Sequence, residues 1–282
     1  MSAETGADQR RVHTAARFGD FAPARPTTVP SRPATRDLER PADLPLHPHQ
    51  PFVEEAAPAP AVASVSRVER TARLPIEGAW ARATKRAVDL MVGIPLFILF
   101  LIAYPIVGLV LKVTSPGPVI FAHTRVGRDG RPFEMLKFRS MYADAEERLH
   151  ADEDLWNLYV SHGFKIPAAI DPRITPFGRF LRRTSIDELA QSICILKGSM
   201  SVVGPRPVVA EQVVELYQDS PRPYLACKPG LTGLWQVSGR AEILHEHRAR
   251  LDIAYATDWS LSGDLRILWR TMPVVLSARG AH

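Results

Sequence analysis

The sequence predicts an α+β fold that is mainly helical, with a membrane-embedded helix and a small β-hairpin. Three observations predict it. No charged residue occurs between Asp89 and Lys112, a run of 22 residues, and about 20 apolar residues suffice to cross a bilayer. An Asp-Gly pair at 129–130 stands between two apolar segments, which is a strong hairpin signal. Beyond it, apolar residues recur with helical spacing over 143–160, 186–196, 208–218 and 245–256.

Three regions follow from this pattern. Residues 1–76 are rich in Pro, Ala and Arg, as in Arg25-Pro-Thr-Thr-Val-Pro30, and are too poor in large apolar residues to offset the entropy of ordering. They read as a disordered tail and lack the apolar core of a signal peptide. Residues 77–115 hold the membrane segment, and 116–282 the remaining domain that contains the hairpin and the later helices. The net charge of +5 suits an anionic partner, and nucleic acid, acidic lipid and a nucleoside diphosphate all qualify. Cys194 and Cys227 have no metal-site spacing and read as reduced thiols.

Basic residues flank the apolar run on both sides, Lys85 and Arg86 before it and Lys112, Arg125, Arg128 and Arg131 after it. Basic flanks favour the cytoplasmic face, and Pro105 lacks the amide that a straight helix uses. Both facts suit a helix that bends at Tyr104-Pro105 and returns to the same face; a simple span also tolerates them. Thr114-Ser-Pro-Gly-Pro118 ends the segment. The last segment, 264–276, mixes Trp and aliphatics with arginines, which suits an amphipathic helix in the membrane interface and equally one packed on the core.

The densest chemistry lies in Arg182-Arg-Thr-Ser-Ile-Asp-Glu-Leu-Ala-Gln191. Ser185 and Glu188 have capping-box spacing, which places Asp187 and Glu188 in a first helical turn, where the dipole favours anions. The pattern serves a structural cap and a phosphate site alike: a carboxylate can attack phosphorus, and two adjacent acids can hold magnesium. Gly204-Pro-Arg-Pro207 restrains one arginine between two prolines. Lys228-Pro-Gly-Leu-Thr-Gly-Leu-Trp-Gln-Val-Ser-Gly-Arg240 offers glycines that permit close approach to a ligand, without P-loop or dinucleotide spacing. Lys137-Phe-Arg-Ser-Met141 adds two cations.

In this order, these segments resemble the bacterial sugar transferase family, the monotopic phosphoglycosyl transferases. The likeness runs from about Lys85 to Thr271. It rests on Lys85-Arg-Ala-Val-Asp-Leu90, Ser115-Pro-Gly-Pro-Val-Ile-Phe121, Arg125-Val-Gly-Arg-Asp-Gly-Arg-Pro-Phe133 and Lys137-Phe-Arg-Ser-Met141. Thr184-Ser-Ile-Asp-Glu-Leu189, Leu196-Lys-Gly-Ser-Met-Ser-Val-Val-Gly-Pro-Arg-Pro207, Lys228-Pro-Gly-Leu-Thr-Gly233 and Gln236-Val-Ser-Gly-Arg240 complete it. The resemblance implies a re-entrant membrane helix, interfacial amphipathic helices and a cytoplasmic catalytic domain at the bacterial inner membrane. It implies transfer of a sugar-1-phosphate, with glucose or galactose expected, from a UDP-sugar to undecaprenyl phosphate as the first step of exopolysaccharide or capsule synthesis.

On this resemblance Asp187 is the nucleophile that carries a covalent phospho-sugar, and Glu188 assists it, the two sharing Mg2+. Pro205, Arg206 and Pro207 are linked with the nucleotide, and Lys137, Arg139, Gln236 and Arg240 are candidate substrate contacts. The partners implied are the UDP-sugar, undecaprenyl phosphate and membrane lipid rather than nucleic acid, with a homo-oligomer or polysaccharide-assembly proteins as further candidates. Three departures stand out: Ala190 where Pro is usual, Ser199 where Asp is usual, and Tyr104 before the membrane proline where Ser is usual. The main rival reading is a non-enzymatic membrane-tethered interaction protein, and a second is a hydrolase that passes the phosphoryl group to water.

Overall fold

The structure, a computed structural model, describes residues 73–161, 166–217, 221–238 and 245–276, all within one folded unit. The tail over 1–72 and Arg240 lie outside the described residues. The apolar run falls in helix α1, Ala79–Thr114, whose 36 residues continue through Pro95 and Pro105. At 1.5 Å per residue it is about 54 Å long, well beyond the ~30 Å thickness of a hydrocarbon core.

One face of α1 is buried from end to end. Ala81, Lys85, Asp89, Gly93, Phe100, Val107 and Leu111 lie on it, at spacings of four and seven that repeat a helix face. The opposite face leaves Met91, Ile94, Ile98, Leu101, Ile102, Ile106, Leu109 and Val113 exposed. Only 22% of the most apolar 18-residue stretch is buried, so this is no soluble core helix wrapped in protein.

Ser115 caps α1, and the chain turns into the hairpin. Strand β1 (Ile120–Val126) pairs antiparallel with β2 (Pro132–Phe138), in register from Ile120 opposite Phe138 to Val126 opposite Pro132. Asp129 and Gly130 both take positive φ, 60° and 75°, as the predicted Asp-Gly turn requires. The helix expected over 143–160 is two, α2 (Ala145–Ala151) and α3 (Glu153–Ser161). Asp152 breaks it: its side chain accepts from the Leu155 amide at 3.0 Å and starts a new helix.

Helix α4 (Pro176–Thr184) begins with Thr175, whose hydroxyl accepts from the Gly178 amide. A 3-10 turn over Ile186–Ala190 then leads into α5, Gln191–Lys197. Short strand β3 (Ser201–Val203) is followed by α6 (Ala210–Tyr217), α7 (Arg222–Leu225) and β4 (Gly230–Thr232). Then come α8 (Leu234–Val237), α9 (His245–Thr257) and α10 (Leu261–Leu276). β3 and β4 pair in parallel, an element absent from the sequence reading because three residues show no alternation.

Candidate functional site

The capping box expected at Ser185 and Glu188 does not form. Ser185 is in the left-handed region, φ 56°, and its side chain makes no cap hydrogen bond. It ends α4 and reverses the chain into the 3-10 turn. That reversal brings Asp187 inward against the α1 and β2 packing, where Phe100, Phe138, Leu181 and Ala190 form an apolar cluster. Ala190 is fully buried there, so the small side chain fits where it stands.

Asp187 is 7% exposed. Burial pushes its carboxyl up to about 6, Glu188 pushes the same way, and Lys137 and Arg182 oppose them. The expectation that a helix start would favour the ionised form is therefore reversed in sign: desolvation outweighs local dipoles in this turn. Lys137, on β2, donates to Glu188 Oε1 at 2.8 Å. The structure thus brings Lys137, Asp187 and Glu188 together and adds Arg182, which the sequence reading passed over. Arg182 Nε donates to Ser140 Oγ at 2.8 Å. Its only sequence signal is its place in the last turn of the helix that precedes Asp187.

Arg139 is placed differently. Its guanidinium donates to the carbonyls of Ser115 and Pro116, fastening the loop where α1 ends. Tyr104, standing where the family commonly has Ser, lies 6.2 Å from the Phe138 ring and 5.5 Å from Phe100, so it packs rather than bonds to backbone.

The glycine-rich stretch has a physical cause other than ligand approach. A Cβ at Gly230 would stand 2.2 Å from Gly204 N, and one at Gly233 2.1 Å from Gly204 O. These glycines let β3 and β4 carry their loops past each other backbone to backbone. Gly230 N donates to Pro205 O and Gly204 N to Thr232 O. Pro205 is buried, Pro207 half-buried, and Arg206 exposed between them. Arg206 extends over the Trp235 ring, 5.5 Å from its centroid, and Gln236 is buried on α8 beside it. Thus the predicted residues form two groups, one around Asp187 and one around Trp235.

The family model described as "Bacterial sugar transferase" matches residues 80–278. The chain is 44% identical over 207 residues to "Undecaprenyl-phosphate galactose phosphotransferase" of Salmonella typhimurium, covering 72% of this chain and 42% of that protein. It is 38% identical over 202 residues to "Exopolysaccharide production protein ExoY" of Rhizobium meliloti, covering 70% of this chain and 88% of that protein. It is 36% identical over 200 residues to "UDP-glucose:undecaprenyl-phosphate glucose-1-phosphate transferase" of Escherichia coli, covering 68% of this chain and 40% of that protein. The first and third matches thus span under half of those relatives' own length. With a match from residue 80 to residue 278 and the motifs arranged as described, the chain belongs to the bacterial sugar transferase family.

Proposed function

We propose that the chain transfers a hexose-1-phosphate from a UDP-sugar to undecaprenyl phosphate, the first step of exopolysaccharide or capsule synthesis. The observation that carries this reading is Asp187: a buried carboxylate faced by Lys137 and Arg182, in a domain packed along one side of an apolar helix. A carboxylate oxygen of Asp187 attacks the sugar-proximal phosphorus. The bond from that phosphorus to the bridging oxygen breaks, and UMP departs with that oxygen. An oxygen of undecaprenyl phosphate then attacks the same phosphorus, the bond to Asp187 breaks, and the carboxylate is regenerated. Two steps let a soluble and a membrane-bound substrate be used one at a time. Lys137 and Arg182 offset charge that opposes attack on a phosphate, and partial burial strengthens that effect.

Among the described residues no three His, Cys, Asp or Glu side chains converge as a metal site. Magnesium is commonly held by one or two carboxylates together with substrate phosphates and water, so the adjacent Asp187 and Glu188 fit it. When bound, the ion shields the repulsion between carboxylate and phosphate. Loss of turnover with a chelator and recovery with Mg2+ is the expected result.

Both ends of α1 are fastened to one folded unit. Lys85 and Arg86 bond to Val203, Ile195 and Leu196 carbonyls, while Leu111 packs in the cluster with Phe138 and Leu181. A domain fastened to both ends of α1 lies on one side of a bilayer, so α1 is read as entering the cytoplasmic leaflet of the inner membrane and leaving by the same face, which needs a bend at Tyr104-Pro105 within the continuous helix. The exposed Leu265, Trp269 and Met272 of α10 share one helix face by spacing, and that face is read as interfacial. Cysteines placed near Arg82 and Arg125 should label from the same side; opposite-side labelling would make α1 a span. The reaction is tested by intact-mass analysis with UDP-glucose or UDP-galactose alone, where a phospho-hexose adduct is expected on Asp187. A turning-over enzyme that never accumulates the adduct on rapid quenching would contradict it.

A further inference from the structure

Two guanidinium groups approach one indole ring: Arg248 stands 5.1 Å and Arg206 5.5 Å from the Trp235 centroid. A third, Arg125, is close enough for both to repel its charge, and burial together with that repulsion pushes it down to about 10. Arg248 is only 8% exposed, yet among the described residues its Nε and Nη2 find no hydrogen-bond acceptor, nor do Arg125 Nε and Trp235 Nε1. Asp252 lies 3.9 Å from Arg248 Nε and accepts from the Tyr217 hydroxyl at 2.7 Å. Buried donors without acceptors are destabilising, and repelling cations add to this. Nothing in the packing of Val208, Val213 and Tyr224 around them calls for three arginines.

The hairpin register places this cluster relative to the first group. Arg125 lies opposite Phe133, and Lys137 opposite Phe121. Four residues separate the positions on each strand, an even number, so Arg125 and Lys137 share a sheet face about 13 Å apart. A nucleoside diphosphate whose terminal phosphorus sits beside Lys137 extends its nucleoside over a span of that order.

We propose that Arg125, Arg248 and Trp235 hold the nucleotide end of the sugar donor, their unfilled donors taking the carbonyl oxygens of the base and the nearer phosphate. The proposal rests on the donor being a UDP-sugar and adds residues outside the Pro-Arg-Pro element.

The test uses the full chain in lipid nanodiscs, titrated with UMP, uridine and inorganic phosphate by calorimetry, then assayed over both substrates. Arg248→Gln is expected to weaken UMP binding and raise KM for the UDP-sugar about tenfold or more, ~1.4 kcal/mol. Its kcat and its KM for lipid phosphate should stay within about threefold. Arg248→Lys keeps the charge but not the planar fork, and recovers part of the affinity. Arg125→Gln, on a half-buried strand, should act in the same direction and serves if Arg248→Gln fails to fold. Wild-type UMP affinity in both Gln variants overturns the proposal. So does a rise in KM for lipid phosphate alone, which would assign the cluster to the lipid headgroup, or binding of inorganic phosphate as tight as that of UMP. Because UMP binding needs no turnover, it stays measurable if phospho-sugar transfer is not observed, and the two readings fail separately.

Discussion

Two regions bury acids beside lysines, and they differ in how completely those charges are met. Beneath α1, Lys85 Nζ donates to Val203 O at 2.8 Å, Tyr255 Oη at 2.7 Å and Asp264 Oδ2 at 3.0 Å. Asp264 also accepts from Tyr255 and Trp259, and Asp89 accepts from Ser201 Oγ and the Val202 amide. All three donor positions of that ammonium are used within the chain. At Asp187, among the described residues, no side chain donates a hydrogen bond to the carboxylate, and burial holds it partly protonated near pH 6. A closed polar network rigidifies a fold, whereas an open one marks a place where something else binds. Burial of charge alone separates nothing; unmet demand does.

The largest effect that breaks the comparison is at Asp187. Asp187→Asn should lower transfer by about a thousandfold or more, ~4 kcal/mol of barrier, and remove the phospho-hexose adduct. It should not unfold the protein. The carboxyl's folded value of about 6 lies above the ordinary 3.8, so burying its charge disfavours folding above pH 6, and that penalty fades as pH falls toward 4. The neutral amide removes the penalty at pH 7–8, and the melting temperature should be equal or higher. A marked fall in melting temperature would make Asp187 a structural acid.

Asp264→Ala or Lys85→Met should do the reverse. Each leaves a buried charge without its partner, which costs about 3–5 kcal/mol and should show as a lower denaturation midpoint in detergent. The acid limb of activity in the fraction that stays folded should not move. If stability were unchanged and that limb moved, the closed network would belong to the chemistry.

How much of this was legible in the sequence follows the reach of each signal. The 22-residue uncharged run and Asp129-Gly130 act locally, so α1 and the hairpin turn appeared where expected. Asp187, Glu188 and Lys137 were legible as residues, but the sign of the Asp187 shift was not. It depends on Phe100 and Phe138 from distant segments closing over that turn. Ser185 was misread because a left-handed residue between α4 and the 3-10 turn is fixed by tertiary packing rather than by cap chemistry. Arg248 lies in α9 amid ordinary charged helix residues, and only its position against Trp235 distinguishes it.

A smaller effect sharpens the first region. Lys137 draws the Asp187 carboxyl down, so Lys137→Met should raise the apparent pKa on the acid limb of kcat/KM by about one pH unit, ~1.4 kcal/mol. Activity would then be lost at a higher pH than in the wild type. Glu188→Gln removes a like charge and should move the limb the other way. Limbs that coincide with the wild type in both variants would separate the Lys137–Glu188 pair from Asp187.

The smallest effect compares two faces of one helix. On α10, Ile267 is 1% exposed in the core, while Trp269 is 80% exposed beside it. Ile267→Ala should destabilise by about 2–4 kcal/mol, as deletions from packed cores do. Trp269→Ser removes more apolar surface yet should leave the denaturation midpoint within about 0.5 kcal/mol, as for an exposed site. Its consequence should appear only with lipid present. With the apolar face of α1 still holding the chain, vesicle binding persists, and KM for the lipid phosphate rises about threefold, ~0.6 kcal/mol. An unchanged KM in Trp269→Ser, or an equal one in detergent and vesicles, would mean that the outer face of α10 meets water and that α1 alone sets how the domain sits on the bilayer.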